Sequence, residues 1–173
     1  VNVLPSRNTG PIVDHLLHDP RVRVVSFTGS TEIGRVLLRS AADQVLKPAM
    51  ELGGNAPLIV FEDADVDVAV EGAMLAKMRN LGEACTAANR FYVHKNIFNK
   101  FVDKFTLAMS ALKTGNGLDP DTDVGPLVNK STKDKVAFFV QDAIAKGAEL
   151  KLGGTDIEGP GFYYPPTILT NVP

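Results

Sequence analysis

Apolar positions along this chain follow two alternating spacings, and the alternation predicts its elements. Short runs of Val, Ile, Leu and Phe give way to stretches in which apolar residues recur every three or four positions, as strands and amphipathic helices do. Residues 1–4 read as a buried strand. Residues 11–18 read as a helix with Pro11 near its start and Ile12, Leu16 and Leu17 on one side, and residues 21–27 as a second strand. Thr28-Gly29-Ser30 then turns into a helix over residues 31–42, with Ile33, Val36, Leu37 and Ser40 on one face. Beyond Lys47-Pro48, Met50-Glu51-Leu52 is a strand end that runs into Gly53-Gly54, and residues 57–61 form a wholly apolar strand. Asp63-Ala64-Asp65 supplies cap chemistry for a helix over residues 66–80. A strand at 90–94 follows, then a helix through Ile97, Phe98, Phe101, Val102, Phe105, Ala108 and Leu112, and a Gly- and Pro-rich loop at 115–126. The Ser131–Asp134 spacing resembles a capping box and opens a helix bearing Val136, Phe139, Val140 and Ile144; a short strand at 148–152 comes next. Strand, helix and glycine turn in this order predict an α/β protein built on parallel sheet with crossovers. A soft boundary near Lys47-Pro48 separates the two stretches.

Composition narrows the function classes. Of 173 residues, 45% are hydrophobic and 22% charged, which fits a globular chain rather than disorder or a fibre. Eighteen Lys and Arg against 20 Asp and Glu give a net charge of −2, with no basic excess for nucleic acid or an anionic membrane. One cysteine, Cys85, excludes an internal disulfide and any CxxC-type metal site. No apolar run approaches the roughly 20 residues of a membrane span, so a cytoplasmic protein is the expectation. The chain begins without Met and stops as a new segment starts at residues 165–173, as an excerpt of a longer protein would.

Four features carry candidate chemistry. Phe27-Thr28-Gly29-Ser30-Thr31-Glu32-Ile33-Gly34 joins a strand to a helix whose first N–H groups could receive an anion, with the Ser30 hydroxyl as a further donor; an ordinary tight β–α turn explains it equally. Cys85 follows a helix beside small residues. It could act as a nucleophile in an exposed, electropositive niche or simply be a small buried hydrophobe. His15, His18 and His94 are scattered, and none stands beside it in sequence. Glu51 interrupts an apolar strand end; burial would raise its pKa toward that of a general base, while a solvent-facing glutamate needs no explanation. Arg79, six residues before Cys85, could pair with a substrate carboxylate or complement a helix C-terminus.

Together the ordered motifs resemble the aldehyde dehydrogenase superfamily. They are the Phe27 to Gly34 segment, Glu51-Leu52-Gly53-Gly54-Asn55-Ala56-Pro57, Gly82-Glu83-Ala84-Cys85, Gly125-Pro126-Leu127, Gly147-Ala148, Gly153-Gly154 and Pro166-Thr167-Ile168-Leu169. Arg79-Asn80-Leu81-Gly82-Glu83-Ala84-Cys85 is similar to the succinate-semialdehyde dehydrogenase branch. The resemblance implies the end of a Rossmann-like cofactor-binding domain at residues 1–50 and the first part of the α/β catalytic domain at 51–173. It implies NAD or NADP as cofactor, with Thr28, Gly29 and Ser30 at the pyrophosphate and Leu52 and Gly53 near the nicotinamide. Cys85 would be the nucleophile, with its own N–H in the oxyanion hole, Glu51 the general base, and Arg79 the residue that binds the distal carboxylate of a semialdehyde. No metal is implied, nor any nucleic-acid or membrane partner, and the full-length protein would be a homo-oligomer. Glu83 stands where the family commonly has Gln. Thr86 and Ala87 stand where some relatives have a second, redox-active cysteine. Family members are about three times as long, so the segment alone is expected to be catalytically silent and to bear unpaired sheet edges. A non-catalytic nucleotide- or phosphate-binding module using only the Thr28-Gly29-Ser30 turn is the alternative.

Overall fold

Parallel strands need a crossover between them, and one face of the pair must be covered; both needs shape the first part of the chain. The computed structural model describes residues 1–173, and the chain divides into two units, Val1–Asn55 and Ala56–Pro173. In the first unit α1 (Gly10–Leu17) precedes β1 (Val24–Gly29), α2 (Thr31–Ala42) and β2 (Lys47–Leu52). β1 and β2 pair in parallel from Val24 opposite Lys47 to Gly29 opposite Leu52, with α2 as the crossover. Leu17, Ala41 and Leu46 form the small core, flanked by Val13, Val22, Val25 and Leu37. β2 lies whole within this unit, so Glu51 sits beside β1.

Several expectations shift here for physical reasons. Residues 1–4 are exposed and form no strand, because no neighbouring strand satisfies their backbone groups. β1 starts at Val24 rather than at residue 21. The Arg21 backbone N–H and guanidinium both donate to Asp19, and the N–H of Val22 closes a turn on the Asp19 carbonyl. The Arg21 hydrogen bonds also hold the Asp19 carboxyl well below the usual carboxylate range. On α2, Ile33 and Val36 are about half exposed, and Gly34 and Ala41 face inward instead. A Cβ at residue 34 would stand 2.7 Å from a Leu52 methyl, so Gly34 lets α2 lie directly on β2.

The second unit contains β3 (Ala56–Val60), α3 (Val66–Met78), β4 (Ala88–Val93), α4 (Phe98–Ser110), α5 (Lys130–Ala145), β5 (Glu149–Leu152) and β6 (Ile168–Thr170). β3 and β4 pair in parallel across α3, and β5 and β6 pair antiparallel. The Asp65 side chain caps α3 by accepting from the N–H groups of Asp67 and Val68. Val66, Val70 and Ala73 of α3 meet Phe101, Phe105 and Met109 of α4, together with Val60 and Ile168, in one core. Phe105 packs its ring against Phe91 and Phe101 at centroid separations of 5.2 and 5.5 Å. α5 starts at Lys130 because Asn129, not Ser131, caps it, accepting from the Thr132 N–H at 2.8 Å. Of its expected face only Val140 is buried; Phe139 is exposed.

Candidate active site

Parallel pairing brings two sequence-distant motifs together in the first unit. Thr28 lies opposite Glu51 and Gly29 opposite Leu52, and the Gly53 N–H donates to the Gly29 carbonyl at 3.0 Å. Thr28, Gly29, Ser30, Glu51, Leu52 and Gly53 therefore share the carboxyl end of one parallel strand pair, where α/β sheets bind ligands. Ser30 caps α2, its Oγ accepting from the Ile33 N–H at 3.3 Å while its own proton stays available to a ligand. Helix geometry leaves the N–H groups of Thr31 and Glu32 without intrahelical acceptors. Gly29 has no room for a side chain, since a Cβ would run into the Phe27 ring, whereas beside Gly53 and Gly54 the space is open. An extended anionic group could approach this strand end along the two glycines.

Glu51 corrects the burial argument. Its side chain is exposed and has no hydrogen-bond or ion-pair partner in the chain, because the alternation of β2 turns Met50 and Leu52 inward and Glu51 outward. The apolar neighbours in sequence do not enclose it.

In the second unit a strained turn presents the cysteine. α3 ends at Met78, two residues short of the expected end, leaving Arg79 as its C-terminal cap with its N–H on the Leu75 carbonyl. Asn80 (φ 52°), Leu81 (φ 57°) and Gly82 (φ 75°) then take left-handed conformations in succession. Left-handed backbone at a residue with a Cβ costs about 1–2 kcal/mol, and such strain persists only where the surroundings fix it. The Glu83 N–H donates to the Asn80 carbonyl at 3.0 Å, and the Ala87 N–H to the Ala84 carbonyl at 2.9 Å. Cys85 occupies the corner of that second turn, free and exposed, which removes the buried-hydrophobe explanation for it. Its backbone N–H donates to no group of the chain. Arg79, Ala84, Thr86 and Ala87 line one hollow of about 290 Å³ with Gly72, Leu75 and Ala76 of α3. The exposed Arg79 and the residues flanking Cys85 thus border one small space.

Two polar residues escaped the sequence reading. Lys77 is half-buried; its Nζ donates to the Asn89 Oδ1 at 2.6 Å, and desolvation by its surroundings lowers its pKa. The signal was present, since Val66, Val70, Ala73 and Lys77 follow one core-facing stripe of α3 and a lysine there is out of character. Gly82 is the other side of the same arrangement, for a Cβ on it would stand 2.8 Å from the Lys77 carbonyl oxygen and 3.0 Å from its Nζ. Gly82→Ala should therefore destabilise the protein by about 1–2 kcal/mol or more, from positive φ alone. A denaturant midpoint equal to that of the parent would contradict this. No group of three or more His, Cys, Asp or Glu is placed to hold a metal ion, and no helix is long and apolar enough to cross a membrane.

The chain matches the aldehyde dehydrogenase family over residues 1–173 and belongs to that family. It is 53% identical over 173 residues to a succinate-semialdehyde dehydrogenase of Paenarthrobacter nicotinovorans, covering all of this chain and 38% of the relative. It is 46% identical over 166 residues to a glutarate-semialdehyde dehydrogenase of Pseudomonas putida, covering 96% of this chain and 34% of the relative. The crystal structure of an E. coli NADP-dependent enzyme superposes with a TM-score of 0.93 at 46% identity, over 99% of this chain and 35% of the other. The chain thus spans little more than a third of the length of the proteins it matches.

Proposed function

We propose that this chain is the part of an NAD(P)-dependent aldehyde dehydrogenase that carries its nucleophile and its general base, and that the substrate is succinate semialdehyde. The observation that carries this reading is Cys85, exposed at a turn corner with a free backbone N–H, its neighbours bordering the hollow that Arg79 lines. The Cys85 thiolate adds to the aldehyde carbon, and the carbonyl oxygen becomes an oxyanion that the Cys85 N–H can receive. A bound NAD or NADP would supply the hydride acceptor, and Cys85 would then carry the oxidised carbon as a thioester. Glu51 takes a proton from water as the water attacks the thioester; the acid leaves and the thiol is restored. The dinucleotide fits the first unit, whose open glycine backbone, Ser30 hydroxyl and α2 N–H groups suit a pyrophosphate. Residues Thr28, Gly29, Ser30, Leu52 and Gly53 would hold it there. The E. coli structure, described as that of an NADP-dependent enzyme, favours NADP.

Arg79 sets the substrate class in this reading. Its guanidinium can take a distal carboxylate in a bidentate pair, which an uncharged aldehyde cannot offer. Glutarate semialdehyde, named for one of the relatives, is one methylene longer and carries the same carboxylate, so chain length rather than charge separates the two. Arg79→Ala in the full-length protein should lower kcat/KM for succinate semialdehyde about 10- to 150-fold, the worth of a hydrogen bond to a charged group. Butyraldehyde, uncharged and of equal length, should change little. Equal losses for both substrates would refute a carboxylate clamp at Arg79.

A further inference from the structure

Lys77 places a charged side chain on the core-facing stripe of α3, and neither the nucleophile, the base nor the carboxylate contact accounts for it. Its Nζ reaches from the last turn of α3 to Asn89, the second residue of β4. Everything between these two residues is the excursion that contains the left-handed Asn80-Leu81-Gly82 run and the Cys85 turn. The bond closes the stem of that excursion, and the Lys77 side chain runs close beneath Gly82, where a Cβ would stand 3.0 Å from its Nζ and 3.3 Å from its Cε. A run of positive-φ residues relaxes unless its ends are fixed, and the backbone bonds within the excursion, Glu83 to Asn80 and Ala87 to Ala84, do not join α3 to β4. The half-buried ammonium has lost part of its hydration, and the Asn89 oxygen replaces it.

We propose that Lys77 is a positioning residue for Cys85: its bond to Asn89 ties the end of α3 to the start of β4 and so fixes the strained turn that presents the thiol. This rests on the reading of Cys85 as the nucleophile. Because Lys77 lies under the turn and outside the Arg79-lined hollow, its loss disturbs the chemical step and not the capture of the aldehyde. The test uses Lys77→Met, Asn89→Leu, their combination and Asn89→Asp in the full-length protein. Expected are a roughly tenfold lower kcat for each single variant with KM for the semialdehyde within about twofold, and no further loss in the double variant, since both remove one interaction. Asn89→Asp, which keeps the acceptor, should retain at least about half of the parent kcat. Alkylation of Cys85 by iodoacetamide, which needs neither substrate nor cofactor, should slow about tenfold in Lys77→Met and Asn89→Leu and recover in Asn89→Asp. A protein that oxidises no semialdehyde but shows this alkylation pattern would refute the proposed reaction and leave the positioning role standing. Alkylation at the parent rate in both single variants, losses that multiply in the double variant, or losses of kcat that merely track a fall in Tm would overturn it.

Discussion

Exchange of Cys85 for alanine in the full-length protein is expected to lower aldehyde oxidation by about 10⁴-fold or more, the scale seen when a covalent nucleophile is removed. The reasoning is chemical before it is structural. In the proposed reaction a thiolate holds the substrate carbon covalently while hydride leaves it, and Cys85 is the only cysteine. Dinucleotide binding should survive the exchange, because the residues assigned to it lie in the first unit and the turn closed between Ala84 and Ala87 uses backbone groups alone. Stopped oxidation with retained dinucleotide affinity separates the enzyme from a module that merely binds nucleotides. A variant that still turned over at the parent rate would remove Cys85 from the reaction.

What the sequence made legible follows from the range of the interactions involved. The helix at residues 31–42 and the apolar strand near residues 57–61 lie where local rules put them: Ser30 and Asp65 are real caps, and Phe101 and Phe105 sit one helical turn apart on a true core face. Orientation was less accessible. Nothing local tells α2 to bury Gly34 rather than Ile33; the methyl groups of Leu52, eighteen residues on, decide it. Residues 1–4 have every local mark of a strand yet stay single, since a strand depends on its neighbour more than on its own propensity. The motif resemblance pointed to Cys85 and Arg79, and geometry adds the hollow that Arg79 borders with the neighbours of Cys85, Ala84 and Thr86. In the positive-φ run beneath Cys85, Asn80 and Gly82 are residue types that take that conformation, but Leu81 gives no local sign of it. The lysine that stabilises the run was readable as a charge on an apolar stripe.

Glu51 is the position where the burial argument and the chemistry diverge, so its substitution tests the chemistry directly. Glu51→Gln keeps size and shape but can no longer accept a proton, and a positioned base contributes about 10²- to 10⁴-fold. In the proposed reaction the base acts after hydride has left, when water must attack the thioester, and not in carbon–sulfur bond formation. Glu51→Gln in the full-length protein should therefore form one NAD(P)H per active site at close to the parent rate and then fall to a steady state lower by about that factor. The acyl group should accumulate on the peptide containing Cys85, where mass spectrometry can find it. A parent-like steady state in Glu51→Gln would remove Glu51 from the reaction. Loss of the first turnover together with the later ones would instead assign it to activation of the thiol.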